Sequence, residues 1–219
     1  MNRFSKFALC SGVFTAFIVL ASTGCGSGGT KVRLLNAMDG QSSVNLLLDN
    51  NTVASGVSFG TASGYSSSSS GSHSLQVQSA GNTLLNVSIS LNSGNNTVLA
   101  TDFGATVFAD NKSTPSSGNI QIRVINASSV MGTVDVYIVA PNTDLSTVNP
   151  SITTLAFQEA SDYQTLAAGS YQIEFTQSGS KNVIVSTTST SFSAGQIRTV
   201  VSLDGSGGGF TTSVLSDLN

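Results

Sequence analysis

Six residues occur twice, ninety positions apart: Val32-Arg33-Leu34-Leu35-Asn36-Ala37 and Ile122-Arg123-Val124-Ile125-Asn126-Ala127. A motif spaced this widely commits the chain to two copies of one unit. Two copies of that length are too few and too long for a solenoid. Within each copy the apolar residues alternate. Val32 and Leu34 point one way, Lys31 and Arg33 the other; Ile120, Ile122 and Val124 alternate with Gln121 and Arg123. Period two over this length specifies a strand with one buried face, and Arg33 and Arg123 are expected on its outer face.

The register of the copies holds further along. Val44, Leu46 and Leu48 match Val134, Val136 and Ile138 at the same offset. Asp49-Asn50-Asn51 follows in the first copy as a tight turn, since Asn and Asp tolerate positive φ. The second copy instead runs through Pro141 to Pro150, an insertion expected as an exposed loop. Beyond it the offset is ninety-eight. Phe59-Gly60-Thr61-Ala62-Ser63-Gly64-Tyr65 aligns with Phe157-Gln158-Glu159-Ala160-Ser161-Asp162-Tyr163, and Gly71, Leu75 and Val77 align with Gly169, Ile173 and Phe175. Each copy holds about seven short strands with turn signals between them, and no stretch has sustained helical periodicity. The fold class expected is all-β: two tandem antiparallel sandwiches of immunoglobulin-like type, domain 1 over residues 31–111 and domain 2 over 119–219, joined by a linker at 112–118. Each copy carries its own apolar strand set, so each is expected to fold alone.

The N-terminal residues read as an export signal over 1–24. Arg3 and Lys6 supply positive charge, Phe7 to Leu20 is apolar, and Ala21-Ser22-Thr23-Gly24 leads with small residues to Cys25. The end resembles a bacterial lipobox, with Ser22 in place of the usual aliphatic residue. Lipidation is expected at Cys25, followed by a glycine-rich tether over 25–30. By resemblance to bacterial sorting rules, the lack of an acid after Cys25 implies the outer membrane where the cell has one. Cys10 leaves with the signal, so no intrachain disulfide is available to the body of the protein.

Charge narrows the partners. The chain has net charge −3; removing Arg3 and Lys6 with the signal, and no acid, takes it to −5. The six remaining basic residues are too few and too scattered for a phosphate-binding stripe, which argues against nucleic acid. The abundance of uncharged hydroxyl and amide side chains suits an exported β-protein.

The repeated blocks resemble a bacterial exported-protein family catalogued as domain-of-unknown-function family 4397. Its pattern is a VRVxNAS start, a VDVYV strand, an FGxxSxY block and an xAGxYxxxV strand. Copy two matches through Ile122 to Ser128, Val134 to Ile138, Phe157 to Tyr163 and Ala168 to Tyr171. Copy one departs at Met38, Asn45 and His73, which stand where copy two has Ser128, Asp135 and Tyr171. The resemblance implies a secreted or anchored β-sandwich and carries no activity.

Several residues invite chemistry. His73 is the single histidine, and with the serines and either Asp39 or Asp49 it suggests a hydrolase triad. No nucleophile-elbow pattern surrounds any serine, and copy two has Tyr171 at this place. Asp135, Asp144, Glu159 and Asp162 could gather at one end of the second sandwich and hold calcium, although no calcium-loop sequence is present. Tyr65 and Tyr163 recur in register and read as corner tyrosines, ring in the core and hydroxyl tied to backbone. Phe59 and Phe157 read as core.

The function expected is that of a non-enzymatic, lipid-anchored cell-envelope protein with a structural or recognition role and no cofactor. Its partners would be the membrane through the Cys25 lipid and an envelope protein or glycan. The alternative is an extracellular glycan- or polymer-binding module, with or without calcium. An exposed aromatic cluster on a concave face would favour the glycan reading, and a polar convex surface a scaffold.

Overall fold

A computed structural model describes residues 29–110, 113–205 and 207–218. The expected signal, Cys25 and the first linker residue, Lys112, lie outside the described residues. The chain is built almost wholly of strands. In the first repeat these are β1 (Lys31–Asn36), β2 (Ser43–Leu48), β3 (Asn51–Ser58), β4 (Ser66–Ser67), β5 (Gly71–Ser79), β6 (Asn82–Leu91), β7 (Asn95–Thr101) and β8 (Gly104–Asp110). In the second they are β9 (Asn119–Asn126), β10 (Val134–Val139), β11 (Ile152–Leu155), β12 (Glu159–Ala160), β13 (Gln164–Ala167), β14 (Gly169–Gln177), β15 (Val183–Ser186), β16 (Thr190–Phe192), β17 (Ile197–Asp204) and β18 (Phe210–Leu218). No helix among the described residues is long and apolar enough to cross a membrane.

Each repeat is a two-sheet sandwich. The first pairs an outer sheet β3-β2-β5-β6 with an inner sheet β4-β1-β7-β8. The second pairs an outer sheet β11-β10-β14-β15 with an inner sheet in which β9 lies between β12 and β13 on one side and β17-β18 on the other. Pairing is antiparallel except at one place in each repeat, where β1 runs parallel to β7 and β9 parallel to β17. The turn after β2 is as expected: Asp49 and Asn50 both take positive φ, 48° and 64°, the signature of a two-residue hairpin turn whose twist matches its strands.

Alternation along the strands fills three cores. Val32, Leu34, Val44, Leu46, Leu75, Val77 and Val98 close the first sandwich. Ile122, Val124, Val136, Ile173, Phe175 and Val200 close the second. The third core lies between the two inner sheets and belongs to both repeats. Leu35, Ala37 and Leu99 from the first meet Ile125, Ala127, Val201, Leu203 and Leu215 from the second. The molecule is therefore four sheets deep, and its two inner sheets are buried on both faces.

This third core corrects one expectation. Arg33 and Arg123 are not on an outer face; each is 2% exposed. The polar side of β1 and β9 faces the other repeat instead of water. The halves share apolar surface, and either one alone would bare Leu35 or Ile125 and their neighbours. The insertion also differs from a free loop. Residues Leu145–Thr147 form a 3-10 turn capped by the Asp144 side chain, and Leu145 is buried. The Lys181 ammonium donates to the carbonyl oxygens of Leu145, Ser146 and Val148 at 2.5, 3.3 and 2.6 Å, which straps the insertion down.

A shared core makes the repeats unfold together. Calorimetry of the chain is expected to show one cooperative transition. Leu99→Ala, at a fully buried position in the third core, should lower it by about 2–5 kcal/mol while leaving it single. Two resolved transitions would contradict the shared core.

Candidate functional site

The repeated arginines meet at the seam between the inner sheets, and each reaches across it. Arg33, on β1, bonds through Nη2 to the Asp217 carboxylate and through Nη1 to the Ser216 carbonyl oxygen at 2.8 Å; both acceptors lie on β18 of the other repeat. Arg123, on β9, bonds through Nη2 to Asp110 at 2.7 Å and through Nη1 to the Ala109 carbonyl at 3.1 Å, both on β8 of the first repeat. The exchange is reciprocal. Thr97 and Thr199 complete it, each accepting from the Nε of its own repeat's arginine, at 2.8 and 3.2 Å, and donating to its own repeat's aspartate. The side chains of Asp110 and Asp217 are fully buried. Burial alone would disfavour charge on Arg33, but the attraction of Asp217, Tyr65 and Asp110 outweighs it and raises its pKa further.

The paired tyrosines belong to the same cluster. The Tyr65 hydroxyl donates to Asp110 at 2.7 Å and the Tyr163 hydroxyl to Asp217 at 2.8 Å. Their acceptors are carboxylates, not the backbone groups expected of corner tyrosines. Each ring also lies against the guanidinium of its own repeat, 4.9 Å from Arg33 and 4.8 Å from Arg123. Burial, first, and the adjacent carboxylates push both phenols well above their ordinary range, against the opposing pull of the arginines. Both therefore stay protonated as donors.

Other motif residues are fastenings as well. Asn36 and Asn126 are fully buried. Their amides donate across to the outer sheet, to Val57 O at 3.0 Å and Leu155 O at 3.2 Å, and their side-chain oxygens accept from the backbone N–H of Met38 and Ser128. Ser63 and Ser161 accept from the strand amides of Leu34 and Val124. Gln158 takes a positive φ of 60° where the first repeat has Gly60, and its side chain crosses to Thr101 at 2.5 Å and Thr106 at 3.3 Å.

The structure does bring His73, Asp49 and a serine together. Nδ1 of His73 lies 2.7 Å from Asp49, and Nε2 lies 2.9 Å from the carbonyl oxygen of Ser69 and 3.5 Å from its hydroxyl. Both ring nitrogens thus face acceptors, which favours the imidazolium. The hydrogen bond to Asp49 is the main cause of its raised pKa. A ring held as a double donor is not poised to take a proton from Ser69. It works as a clasp between the serine run and the β2–β3 turn.

The four acids considered for calcium are not brought to one point. Asp135 accepts from the amides of Thr154 and Gly179 and the Ser178 hydroxyl; these bonds outweigh burial and lower its pKa. Asp144 caps the 3-10 turn, and Glu159 holds the Ala156 amide. Among the described residues no three His, Cys, Asp or Glu side chains form a group able to hold a metal ion.

What remains on the surface is shallow. A polar groove of about 410 Å³ runs between residues 53–58 and 61–66, with Tyr65 in its wall. A hollow of about 220 Å³ lies against Gly40, Gln41, Ser42 and Phe59. Phe59 is half-buried beside the third core. Phe157 is also half-buried and meets Phe103 of the first repeat edge to face, centroids 5.7 Å apart; Phe103 itself is 73% exposed. The sequence pattern did not single out Phe103, which sits in a turn and outside every repeated block.

Fold and fastenings together define a two-repeat β-sandwich protein whose recurring residues hold the fold. The chain belongs to the family described as domain of unknown function (DUF4397), whose sequence profile matches residues 30–137 and 139–219. No curated protein matches it. Among solved structures it is similar to the crystal structure of a family CBM26 module from Eubacterium rectale Amy13K in complex with maltoheptaose. That likeness has 11% identity and a TM-score of 0.29, covering 87% of this chain and 97% of that one. A TM-score this low carries no inference about ligand.

Two outcomes test this assignment of roles. Tyr163→Phe leaves Asp217 short of a donor and should cost about 1–3 kcal/mol; an unchanged melting temperature would remove the tyrosine from the cluster. The His73 clasp stabilises the fold below the histidine's ordinary value of 6.5 and is lost as pH rises through the raised value. Asp49, lowered chiefly by the same bond, contributes above its ordinary 3.8 and loses that as pH falls. His73→Gln should therefore flatten the fall in melting temperature between about pH 6 and pH 9; an unaltered pH profile would contradict the clasp.

Proposed function

We propose that this is a non-catalytic cell-envelope protein, anchored through lipid on Cys25, in which two repeats act as one rigid body that presents its surface for recognition. The observation that carries this reading is the fate of the polar side chains that converge. Arg33, Arg123, Asp110, Asp217, Tyr65 and Tyr163 are spent on one another inside the seam. A reacting centre needs a base and a nucleophile facing substrate; His73, the one histidine, is engaged as a double donor instead. The outer face of the first repeat is uncharged, with Asn45, Ser74, Gln76, Gln78, Asn86 and Ser88 pointing outward in register, as suits contact with the extracellular medium.

Topology gives the body two distinct ends. β1 and β9 both start at the end that holds the arginine cluster, and β7 and β17 run parallel to them. Gly29, Thr30 and the described linker residues 113–118 lie at this end. The opposite end collects the 37–42 and 127–133 loops, the Asp102-Phe103 turn and the glycine-rich turn at 205–209. On the lipoprotein reading, that second end faces away from the membrane.

The second reading, an extracellular glycan-binding module, is favoured by the Phe103–Phe157 pair at this far end.

Cys25→Ser is expected to move the protein from the membrane fraction to the soluble exported fraction. Intact mass of the wild-type mature N-terminus checks the chemistry, and an unlipidated residue there would overturn the anchor.

A further inference from the structure

The turn joining β7 to β8 has two residues, Asp102 and Phe103. Neither takes a positive φ; Gly104 after them does, at 145°, so the backbone leaves positions 102 and 103 open to most residue types. The fold makes no demand for an aromatic there. The second repeat closes the matching turn with Gly207, Gly208 and Gly209. Yet Phe103 stands 73% exposed, with the Phe157 ring from the other repeat at 87° to it. The seam therefore assembles this pair from both repeats: Gln158, next to Phe157, is tied to Thr101 and Thr106 on either side of the Phe103 turn.

Polar groups flank the rings. The Asp102 carboxylate holds the Asp39 amide at 2.9 Å, which sets the 37–42 loop beside the Phe103 turn. Gln41, Ser42 and Phe59 line the 220 Å³ hollow at the same end. An exposed apolar ring next to carboxylate and amide groups matches the two surfaces of a pyranose. The C–H face of the sugar rests on the ring, and its hydroxyls bond to the polar rim. The ionisable groups nearest the rings are acids, Asp39, Asp102 and Glu159, and the mature chain is net negative, so a polyanion is disfavoured. The open, shallow shape suits a chain laid across it better than an enclosed small molecule.

We infer that this end, built by Phe103, Phe157 and the 39–42 loop, is a binding site for a neutral polysaccharide. The assignment rests on the recognition reading above and gives it a place and a ligand class. Titration of the full mature chain, released as Cys25→Ser, with cellohexaose, maltohexaose and laminarihexaose, and with alginate as the anionic probe, tests it. At least one neutral probe should bind. Phe103→Ala should weaken that binding by about tenfold or more, while Gln76→Ala on the outer sheet leaves it unchanged. Phe103→Tyr, which keeps the ring, should retain it. Melting curves of each variant confirm that the fold is kept. Binding of alginate alone, no binding of any neutral probe, or self-association through Phe103 on size exclusion would each overturn the inference. Neutral-probe binding lost with Gln76→Ala but not with Phe103→Ala would move the site to the outer sheet and leave the recognition reading standing.

Discussion

Two arginines crossing a seam in opposite directions set the register of everything else in this protein. A buried guanidinium is costly unless it finds acceptors, and here each nitrogen of Arg33 has one: a carboxylate and a carbonyl from the other repeat, a threonine hydroxyl from its own. Such a pair need not add net stability over an apolar contact of the same shape. Its effect is to penalise every other register, because a shift between the inner sheets would strand Arg33, Arg123, Asp110 and Asp217 without partners. The apolar third core supplies the attraction between the repeats, and the charges choose the alignment.

That division of labour gives each recurring motif a structural role. The arginine of each opening motif clamps the opposite repeat, the asparagine pins the strand exit to the outer sheet, the serine of the later block ties it to the opening strand, and the tyrosine closes over the seam. The reciprocal arrangement has a functional consequence. Loops from both repeats are held at one end in fixed relation, so Phe103 and Phe157 meet although they come from different halves of the chain. The pair joins a motif residue, Phe157, to one that lies outside every repeated block, Phe103.

The strand pattern made much of this legible. Alternation at Val32 and Leu34 or Ile122 and Val124 located the opening strands, and the Asp49-Asn50 turn formed where those residues tolerate positive φ. The seam was harder to read. A strand buried on both faces tends to show a continuous apolar run, and Val98-Leu99-Ala100 and Val200-Val201 are such runs. An arginine in the middle of β1 and of β9 reads as solvent-facing, because local sequence cannot show that the facing sheet supplies an aspartate: Asp217 lies 184 residues from Arg33, and Asp110, only 13 residues before Arg123, lies in the other repeat. The tyrosine hydroxyls find carboxylates where the pattern suggests backbone, for the same reason. Asp110 and Asp217 sit in the last strand of each repeat, outside the matched blocks, and their role needed the tertiary structure. Asp49, His73 and the serine run do come together, but only the carbonyl of Ser69 shows why the result is a clasp.

The central claim is that charges from different repeats act on each other through the seam. A double-mutant cycle of Arg33→Met and Asp217→Asn, read by chemical unfolding of the mature chain, measures that coupling. Each single variant should be strongly destabilised, by about 3–5 kcal/mol for a stranded buried partner. The double variant should fall short of their sum by about 1.5 kcal/mol or more, since removing one charge relieves the need for the other. Losses that add to within about 0.5 kcal/mol would contradict the account and leave Arg33 and Asp217 uncoupled across the seam.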